Sequence, residues 1–595
     1  MTASGASARC ARRARVLGLA LVTLGAWGCE SGLRSVDRVT NEKLRESAEA
    51  VGGGAIYPEI EENRYRSGAY FPDFPEDADR PTTANPSADT LSFTPIPSAQ
   101  EDAASIARRF EKMAQGEPDA RVLTFDDAIR TATEFSQEYL FAEENYLLAA
   151  LRLMIEERRW QLLPSNDTSV DFATAGQGSR FNNALSIVND FGLSQRLPFG
   201  GQVSAAFVVR ATEQLDDYLL NNDNQSADIV LQASIPLLRG FGDVAREPLI
   251  QARRDLVYAA RDFEQFRRDF YIDLAADYLQ LVVQMQSIRN GELQVERSAE
   301  VEARTRALVQ SGRTEPFQAD LATQNTLFAL DRLSTQRETH RLTLDRFKVR
   351  LGLRTEEPIR IDPIQFDMPV PAVDMREAVA TAMRYRLTLQ TARDEVADFS
   401  RKVDVARNNL LGDLDLFLAN SLPTDPTKSR GRLGFDGGYD DFTAGLVFSA
   451  PLDRVTEDLQ LRQAQILLER ARRNALLEAD NTAVTVRQAV RAMERAQFSV
   501  VVQQKNVEAA LNRQAAIDAA PDRATARDRT EAVDQLRQAQ DQLAGANRDL
   551  QLAILRYLNA SGQLRVAPDG RLLPLPGMVA RDGGDESEKA ESATP

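Results

Sequence analysis

The chain has 595 residues, of which 43% are hydrophobic and 27% are charged, and this is the composition of a folded protein. Its formal charge of −16 gives an acidic surface, which argues against nucleic acid as a partner. The single histidine and the two cysteines, Cys10 and Cys29, leave no internal disulfide, CxxC redox pair or Cys/His zinc site once the N-terminal segment is removed.

Other functional classes lack their usual signals. No 18-residue apolar run follows the N-terminal segment, so we expect no membrane-spanning helix in the mature chain. The acidic groups lie at helix starts or in a tether, without a phosphate-binding glycine loop or a nucleophile with a base. We therefore predict neither an enzyme nor a cofactor.

Residues 1–28 are predicted to be a signal peptide, because four arginines precede a short apolar stretch from Val16 to Trp27. The sequence Ala26-Trp27-Gly28-Cys29 resembles the lipobox of bacterial lipoproteins, although Ala26 and Trp27 fit it imperfectly. This resemblance implies that Cys29 is acylated and becomes the new N-terminus. The alternative is an ordinary signal peptide that is cleaved nearby and leaves an incidental thiol.

The two ends of the mature chain are predicted to lie outside the folded core. Residues 29–117 are interpreted as an N-terminal linker tethered by the lipid, since a triple glycine and seven prolines recur between positions 51 and 117. Residues 566–595 are interpreted as an acidic, disordered C-terminal tail.

Between these ends, the chain contains an internal repeat, which we divide into residues 118–363 and 364–565. The stretch LTFDDAIRTA is echoed by VDMREAVATA, and each opens a helical region that continues past residue 150 or residue 400. Each region is followed by strands of alternating hydrophobicity that end in a Pro-Leu pair, at Pro236 and Pro451. Proline suits these strand-to-helix junctions because it has no N–H for a β-ladder.

A long helix follows each junction, at about residues 246–311 and 453–517. Apolar residues recur along both helices at spacings of three, four and seven, a heptad pattern typical of coiled-coil packing. They are Leu274, Tyr278, Leu281, Met285, Ile288 and Val295 in the first helix and Val486, Val490, Met493, Val500, Val507 and Leu511 in the second. At about 1.5 Å per residue, each helix would be about 100 Å long. Glycine and proline then predict a reversal, around Gly312 and Pro316 and around Pro521, into a shorter returning helix.

The first half contains, in this order, LTFDDAIRTA, IPLLRGFG, SGRTEPFQADLATQNTLFAL and FKVRLGL, and the second half repeats the order with weaker sequence similarity. This duplicated order resembles the TolC-type outer-membrane efflux proteins over about residues 118–565. This resemblance implies a mixed α and β fold in a homotrimer. Each chain would give four strands to a twelve-stranded β-barrel in the cell outer membrane. That barrel would continue into a long α-helical barrel in the periplasm.

The resemblance also implies a function and partners. We expect the exit duct of a tripartite efflux system, which passes small molecules from an inner-membrane transporter through a periplasmic adaptor (membrane fusion) protein to the exterior. Two alternatives remain: the exit duct of a type I protein secretion system, and a periplasmic helical-hairpin adaptor or scaffold. The scaffold would lack the paired strand regions.

Site residues follow from the same resemblance. In the sequence motif of this family, a glycine is followed six residues later by an aspartate. Here the second reversal has Asp522 in place of the glycine and Asp528 at the position of the aspartate. Asp528 and Glu531 are therefore the predicted channel constriction, the alternative for Asp528 being a solvated carboxylate beside two arginines. The residues expected to contact the adaptor are Gly312, Arg313, Pro316 and Pro521.

Overall fold

The computed structural model describes residues 29–51, 120–174, 183–214, 224–363, 368–424, 435, 437–519, 525–567 and 572–573. The predicted signal peptide, most of the predicted linker, Pro521 with Asp522, and nearly all of the predicted tail lie outside the described residues.

The N-terminal segment contains a helix that the sequence analysis did not predict. Helix α1 (Cys29–Val51) packs against later helices of the chain through Leu44, which is fully buried. The hydroxyl of Tyr146 donates a hydrogen bond of 3.1 Å to the carbonyl of Leu44. The first part of the predicted linker is therefore part of the fold.

The first half of the core begins with the short strand β1 (Arg121–Leu123) and two consecutive helices, α2 (Phe125–Phe135) and α3 (Gln137–Arg158). Four strands follow: β2 (Leu163–Thr174), β3 (Asn183–Arg196), β4 (Gln202–Gln214) and β5 (Asn224–Pro236). The long helix α4 (Asp243–Gln310) and the returning helix α5 (Pro316–Leu351) complete this half.

The second half has the same order of elements with fewer strands. Strand β6 (Ile359–Ile361) pairs in parallel with β1 and precedes helices α6 (Met375–Tyr385) and α7 (Leu387–Asn408). Strands β7 (Asp413–Pro423) and β8 (Asp441–Ser449) lead to the long helix α8 (Val455–Ala519) and the returning helix α9 (Ala526–Ala560).

The predicted first helix of each half is divided in two. The chain leaves helical geometry at Ser136 and Arg386, where ψ is 123° and 121°. The end of a returning helix abuts each break: a Cβ atom at Gly352 would lie 2.0 Å from the carbonyl oxygen of Phe135, and one at Gly562 would lie 3.1 Å from that of Tyr385. The two breaks therefore accommodate the ends of α5 and α9.

The long helices confirm the predicted lengths. Their heptad residues are buried near the middle of each helix. Leu274, Tyr278 and Leu281 on α4, like Val486, Val490 and Met493 on α8, belong to one hydrophobic core. Toward the far ends the seam becomes more exposed, and Leu511 is an exposed residue. Within the described part of the chain, no helix is both long and apolar enough to cross a membrane.

The number of strands corrects the sequence prediction. Six strands form one antiparallel sheet in the order β2-β3-β4-β5-β7-β8, whereas the resemblance implied four strands per chain. The two additional strands lie in the first half, because the segment from residue 163 to residue 214 forms three strands, of which β3 and β4 are joined by a turn at Leu197–Gly201.

Candidate functional site: an amphipathic sheet on two helical hairpins

One face of the six-stranded sheet is apolar. The strand register aligns side chains of the same parity across the sheet, since alternate residues of a strand point to opposite faces. One row joins Phe191, Phe207, Ile229 and Leu422, and the next joins Leu193, Ala205, Leu231, Asn420 and Phe442. Three of these side chains, Phe191, Leu231 and Phe442, are exposed, and 64% of Phe442 is accessible. A large exposed apolar surface of this kind indicates contact with lipid or protein.

Three polar residues on the apolar face of β2 and β3 bond to one another. Asn189 on β3 donates hydrogen bonds to Asn166 (3.0 Å) and Thr168 (2.6 Å) on β2. Their amide and hydroxyl groups are therefore partly paired within the face.

The opposite face is polar and acidic. Seven aspartates point to it, and two arginines accompany them; Arg210 on β4 forms an ion pair of 3.2 Å with Asp228 on β5. The aspartates are Asp167, Asp171, Asp190, Asp228, Asp413, Asp415 and Asp441. These acids were not predicted from the sequence, because the resemblance implied acidic channel residues only at the helical tips. The sequence feature that could have identified them is their position, because each lies an odd number of residues from the residues that form the apolar face of its strand and so points to the opposite face.

The predicted junction residues lie where the sheet meets the long helices. Pro236 is the last residue of β5 and pairs with Asp415, and α4 begins after a short loop. Pro451 follows β8 and precedes α8. In the first junction, the amide of Gly240 donates a hydrogen bond of 2.7 Å to the side-chain oxygen of Asn408 at the end of α7.

A network of charged side chains joins α4 to α7 directly below the sheet. Asp398, whose side chain is only 4% exposed, forms ion pairs with Arg254 and, at 3.0 Å, with Arg401. The hydroxyl of Tyr258 donates a 2.6 Å hydrogen bond to the same carboxylate. Burial and this hydrogen bond raise the pKa of Tyr258, so the phenol remains a donor. Arg401 also pairs with Glu247 at 3.0 Å, and Arg254 pairs with Asp394 at 3.5 Å, so both partners of the buried acid are held in place.

The turn between α4 and α5, which we call the first tip, contains three of the predicted adaptor-contact residues. Gly312 has a φ of 70°, a left-handed conformation that favours glycine, and the structure has nothing within 4 Å of a Cβ atom built there. Arg313 is exposed, and Pro316 is the first residue of α5, where its missing N–H costs no helical hydrogen bond. This turn therefore presents an open surface at the far end of the first hairpin.

At the second tip, between α8 and α9, the described chain resumes at Thr525. Asp528 forms a capping box with Thr525: its carboxylate accepts hydrogen bonds from the Thr525 amide (3.0 Å) and hydroxyl (2.7 Å). These bonds lower the pKa of the Asp528 carboxyl, which is partly exposed. Glu531 lies 3.5 Å from Arg513 on α8. Both acids predicted to form the constriction are thus at the tip, where Asp528 also begins a helix.

Helix α1 places the predicted lipidation residue near the base of the sheet. α1 runs antiparallel to α3, because Thr40 contacts Met154 while the later residue Leu44 contacts the earlier Tyr146. Cys29 precedes Thr40 by 40 − 29 = 11 residues, or about 16 Å of helix in the direction of β2. The backbone of Cys29 therefore lies near the level at which β2 begins.

The whole arrangement is similar to solved outer-membrane channels. The outer-membrane channel OprN is 17% identical, with 74% of this chain and 90% of that chain covered at a TM-score of 0.55. The outer membrane protein VceC of Vibrio cholerae is 13% identical, with coverages of 74% and 96% and a TM-score of 0.55. The CmeC outer membrane channel of Campylobacter jejuni is 14% identical, with coverages of 74% and 85% and a TM-score of 0.55.

At these identities the likeness shows the fold. No protein-family model matches the chain, and no curated protein sequence matches it. The chain has the mixed, mainly helical fold of the TolC-type outer-membrane efflux channels, and this confirms the resemblance found in its sequence.

Proposed function

We propose that three copies of this chain form a passive exit duct through the outer membrane and across the periplasm. The observation that supports this most strongly is the amphipathic sheet, which lies at one end of two long helices, each about 100 Å long. An apolar outer face suits lipid, and a polar inner face suits a water-filled lumen.

Closure by several copies follows from the chemistry of sheet edges. β2 and β8 each have one side without a partner strand in the described sheet. Unpaired N–H and C=O groups are costly in lipid, so only a closed barrel is tolerated there. A homotrimer is the closed assembly that the TolC-type resemblance implies.

The partners that we propose lie at the periplasmic end. A periplasmic adaptor protein would contact the tips at Gly312, Arg313, Pro316 and Pro521, and an inner-membrane transporter would deliver small molecules for efflux. Asp528 and Glu531, present three times around the axis, would form a cation-attracting constriction. Type I protein secretion remains the second candidate, since the same duct could serve either transporter.

We also propose that acylated Cys29 anchors the N-terminus in the outer membrane. The position of α1 supports this, because a lipid on Cys29 would emerge near the base of the sheet, at the level of the inner leaflet. The lipid and the barrel would then enter the same membrane side by side.

Two adjacent residues of β8 provide a matched test of the membrane assignment. Leu446 lies on the apolar face and Val447 on the polar face, and both are largely exposed in the single chain, at 65% and 57%. Leu446→Arg should prevent insertion, because an arginine facing lipid costs about 2–4 kcal/mol near the bilayer midplane. Val447→Arg should be tolerated, since it faces the lumen opposite Asp415.

The readout is the outer-membrane fraction, analysed for a trimer band that survives in sodium dodecyl sulfate without boiling and disappears on boiling. We expect this band for the wild type and for Val447→Arg and its loss for Leu446→Arg. A periplasmic scaffold would remain water-soluble and would tolerate both changes, because both positions are solvent-exposed in a single chain. That outcome would refute the proposed function.

A further inference from the structure

We propose that the trimer closes a barrel of eighteen strands, with β2 of each copy paired to β8 of the next. Three copies of the six-stranded sheet give 3 × 6 = 18 strands, compared with the twelve expected from four strands per chain. This inference rests on the proposed trimeric duct, and it concerns how wide the duct is in the membrane.

The additional strands have the properties of membrane-barrel strands. β2 has 12 residues and β3 has 14, and a membrane-spanning β-strand needs about 9–11. β3 pairs with both β2 and β4 along its length, so the ladder is continuous from one edge of the sheet to the other. The apolar face also continues onto these strands, with Val170 and Phe172 on β2 and Ile187 and Phe191 on β3.

The turn between β3 and β4 is built into the base of the sheet. The amide of Gly242, at the start of α4, donates a hydrogen bond of 2.8 Å to the carbonyl of Phe199 in this turn. Gly201 has a φ of 85°, and a Cβ atom there would lie 2.1 Å from the carbonyl oxygen of Ser234 on β5. Such a close fit shows that the turn belongs to the strand-to-helix junction, and it holds β3 beside β4.

Strand direction also permits closure. Every neighbouring pair in the sheet is antiparallel, so the first and last of the six strands run in opposite directions. β8 of one copy and β2 of the next would therefore meet as one more antiparallel pair. Bacterial outer-membrane barrels of a single chain have even strand numbers, and the same all-antiparallel closure is available here.

The additional strands change the width of the pore. With strands about 4.8 Å apart and tilted by about 40°, twelve strands give a backbone diameter of about 24 Å and eighteen give about 36 Å. After about 5 Å of side chain is subtracted at each wall, the lumen is about 14 Å wide in the first case and about 26 Å in the second. An eighteen-stranded barrel therefore holds an open aqueous channel lined by acidic residues, and size selection falls to the narrow periplasmic end.

The competing arrangement is a twelve-stranded barrel from which the β2–β3 pair is displaced. In that barrel, β4 would be the edge strand and would pair with β8 of the next copy. The ladder between β3 and β4 would have to open, and this would expose backbone groups that are now hydrogen-bonded. The two arrangements therefore differ in which strand touches β8 of the neighbouring copy.

Cysteine cross-linking distinguishes the two arrangements. Cys29 is the only cysteine after the predicted signal peptide, so the wild-type chain serves as the background control. Thr443→Cys on the polar face of β8 is combined in turn with Ser165→Cys, Asp167→Cys or Ser169→Cys on the polar face of β2. The matched set combines Thr443→Cys with Ser204→Cys, Ala206→Cys or Val208→Cys on the polar face of β4. Several positions are used because the stagger between copies sets the register.

After oxidation in outer membranes, we expect covalent trimers from at least one β2 pair and none from the β4 pairs. Covalent trimers from a β4 pair would overturn the eighteen-stranded barrel and leave the trimeric duct intact. A heat-modifiable trimer that cross-links through neither set would overturn it as well. Failure of the proposed function gives a different result, because then no heat-modifiable trimer forms even in the wild type.

Discussion

Three glycines in left-handed conformations should respond very differently to the same substitution by alanine. Gly312, Gly562 and Gly352 have φ values of 70°, 74° and 77°, so the backbone strain of an added Cβ atom is similar at all three, about 1 kcal/mol. Their surroundings differ: nothing lies within 4 Å of the added atom at Gly312, Tyr385 lies 3.1 Å away at Gly562, and the carbonyl oxygen of Phe135 lies 2.0 Å away at Gly352.

The expected losses of stability therefore rank by packing. Gly312→Ala should cost about 1 kcal/mol, which is the strain alone. Gly562→Ala should cost slightly more, and Gly352→Ala about 3 kcal/mol or more, because the end of α5 must move away from the break after α2. The measurement is the apparent midpoint of thermal unfolding of the detergent-solubilised trimer, followed by circular dichroism at one scan rate, since unfolding of a large assembly is often irreversible.

Gly312→Ala serves as the control for strain without a clash. We expect the midpoint to fall least for Gly312→Ala and most for Gly352→Ala. Equal losses at these two positions would show that backbone strain alone determines the effect. An unchanged midpoint for Gly352→Ala would contradict the observed contact between α5 and the break after α2.

Other predictions concern the anchor, the helical seam and the constriction. Cys29→Ser should abolish labelling by a lipid precursor and leave unprocessed or mislocalised chain; normal maturation would exclude the lipid anchor. Replacing Met493 and Val500 together by Asp should abolish the trimer, because Met493 is buried in the helical seam and an unpaired buried carboxylate costs several kcal/mol. A stable trimer would mean that this stripe faces water. Asp528→Asn, which keeps an acceptor for the helix cap, should raise single-channel conductance and reduce cation preference most clearly at low salt, whereas Asp522→Ala should change both less. A larger effect of Asp522→Ala would place the constriction elsewhere.

The long helices could be predicted from the sequence because their signal is long and regular. The predicted ranges 246–311 and 453–517 differ by only a few residues from Asp243–Gln310 and Val455–Ala519. Heptad spacing sustained over many turns, with glycine and proline at the reversal, leaves few other structures. The breaks at Ser136 and Arg386 were not predictable in this way, because they depend on contacts with α5 and α9, which are remote in sequence.

The additional strands escaped prediction because barrel strands have a weak local signal. Polar residues interrupt the alternation of β2 and β3 on the apolar face, where Asn166, Thr168 and Asn189 bond to one another. Their pairing across strands compensates for the polarity, and a single strand read alone does not reveal it. Helix α1 was missed for a related reason: its buried positions include Thr40 and Ser47, so it lacks a continuous apolar stripe.

The capping box at Asp528 shows a further limit of reading residues from a resemblance. The spacing of Thr525 and Asp528 is that of a helix start, and three hydrogen bonds in the structure show this local role. A capping role is encoded within four residues, whereas a constriction depends on three chains. The sequence could therefore indicate the first directly and the second only by analogy.

Electrical recording in planar lipid bilayers tests the proposed outer-membrane duct most directly. The purified, heat-modifiable oligomer is added to one side of the membrane, with the Leu446→Arg chain as the matched control. We expect uniform single-channel steps from the wild type and none from the control, since an arginine on the lipid-facing side of the sheet blocks insertion. If homogeneous wild-type oligomers leave the bilayer at its baseline conductance, the chain is not a channel.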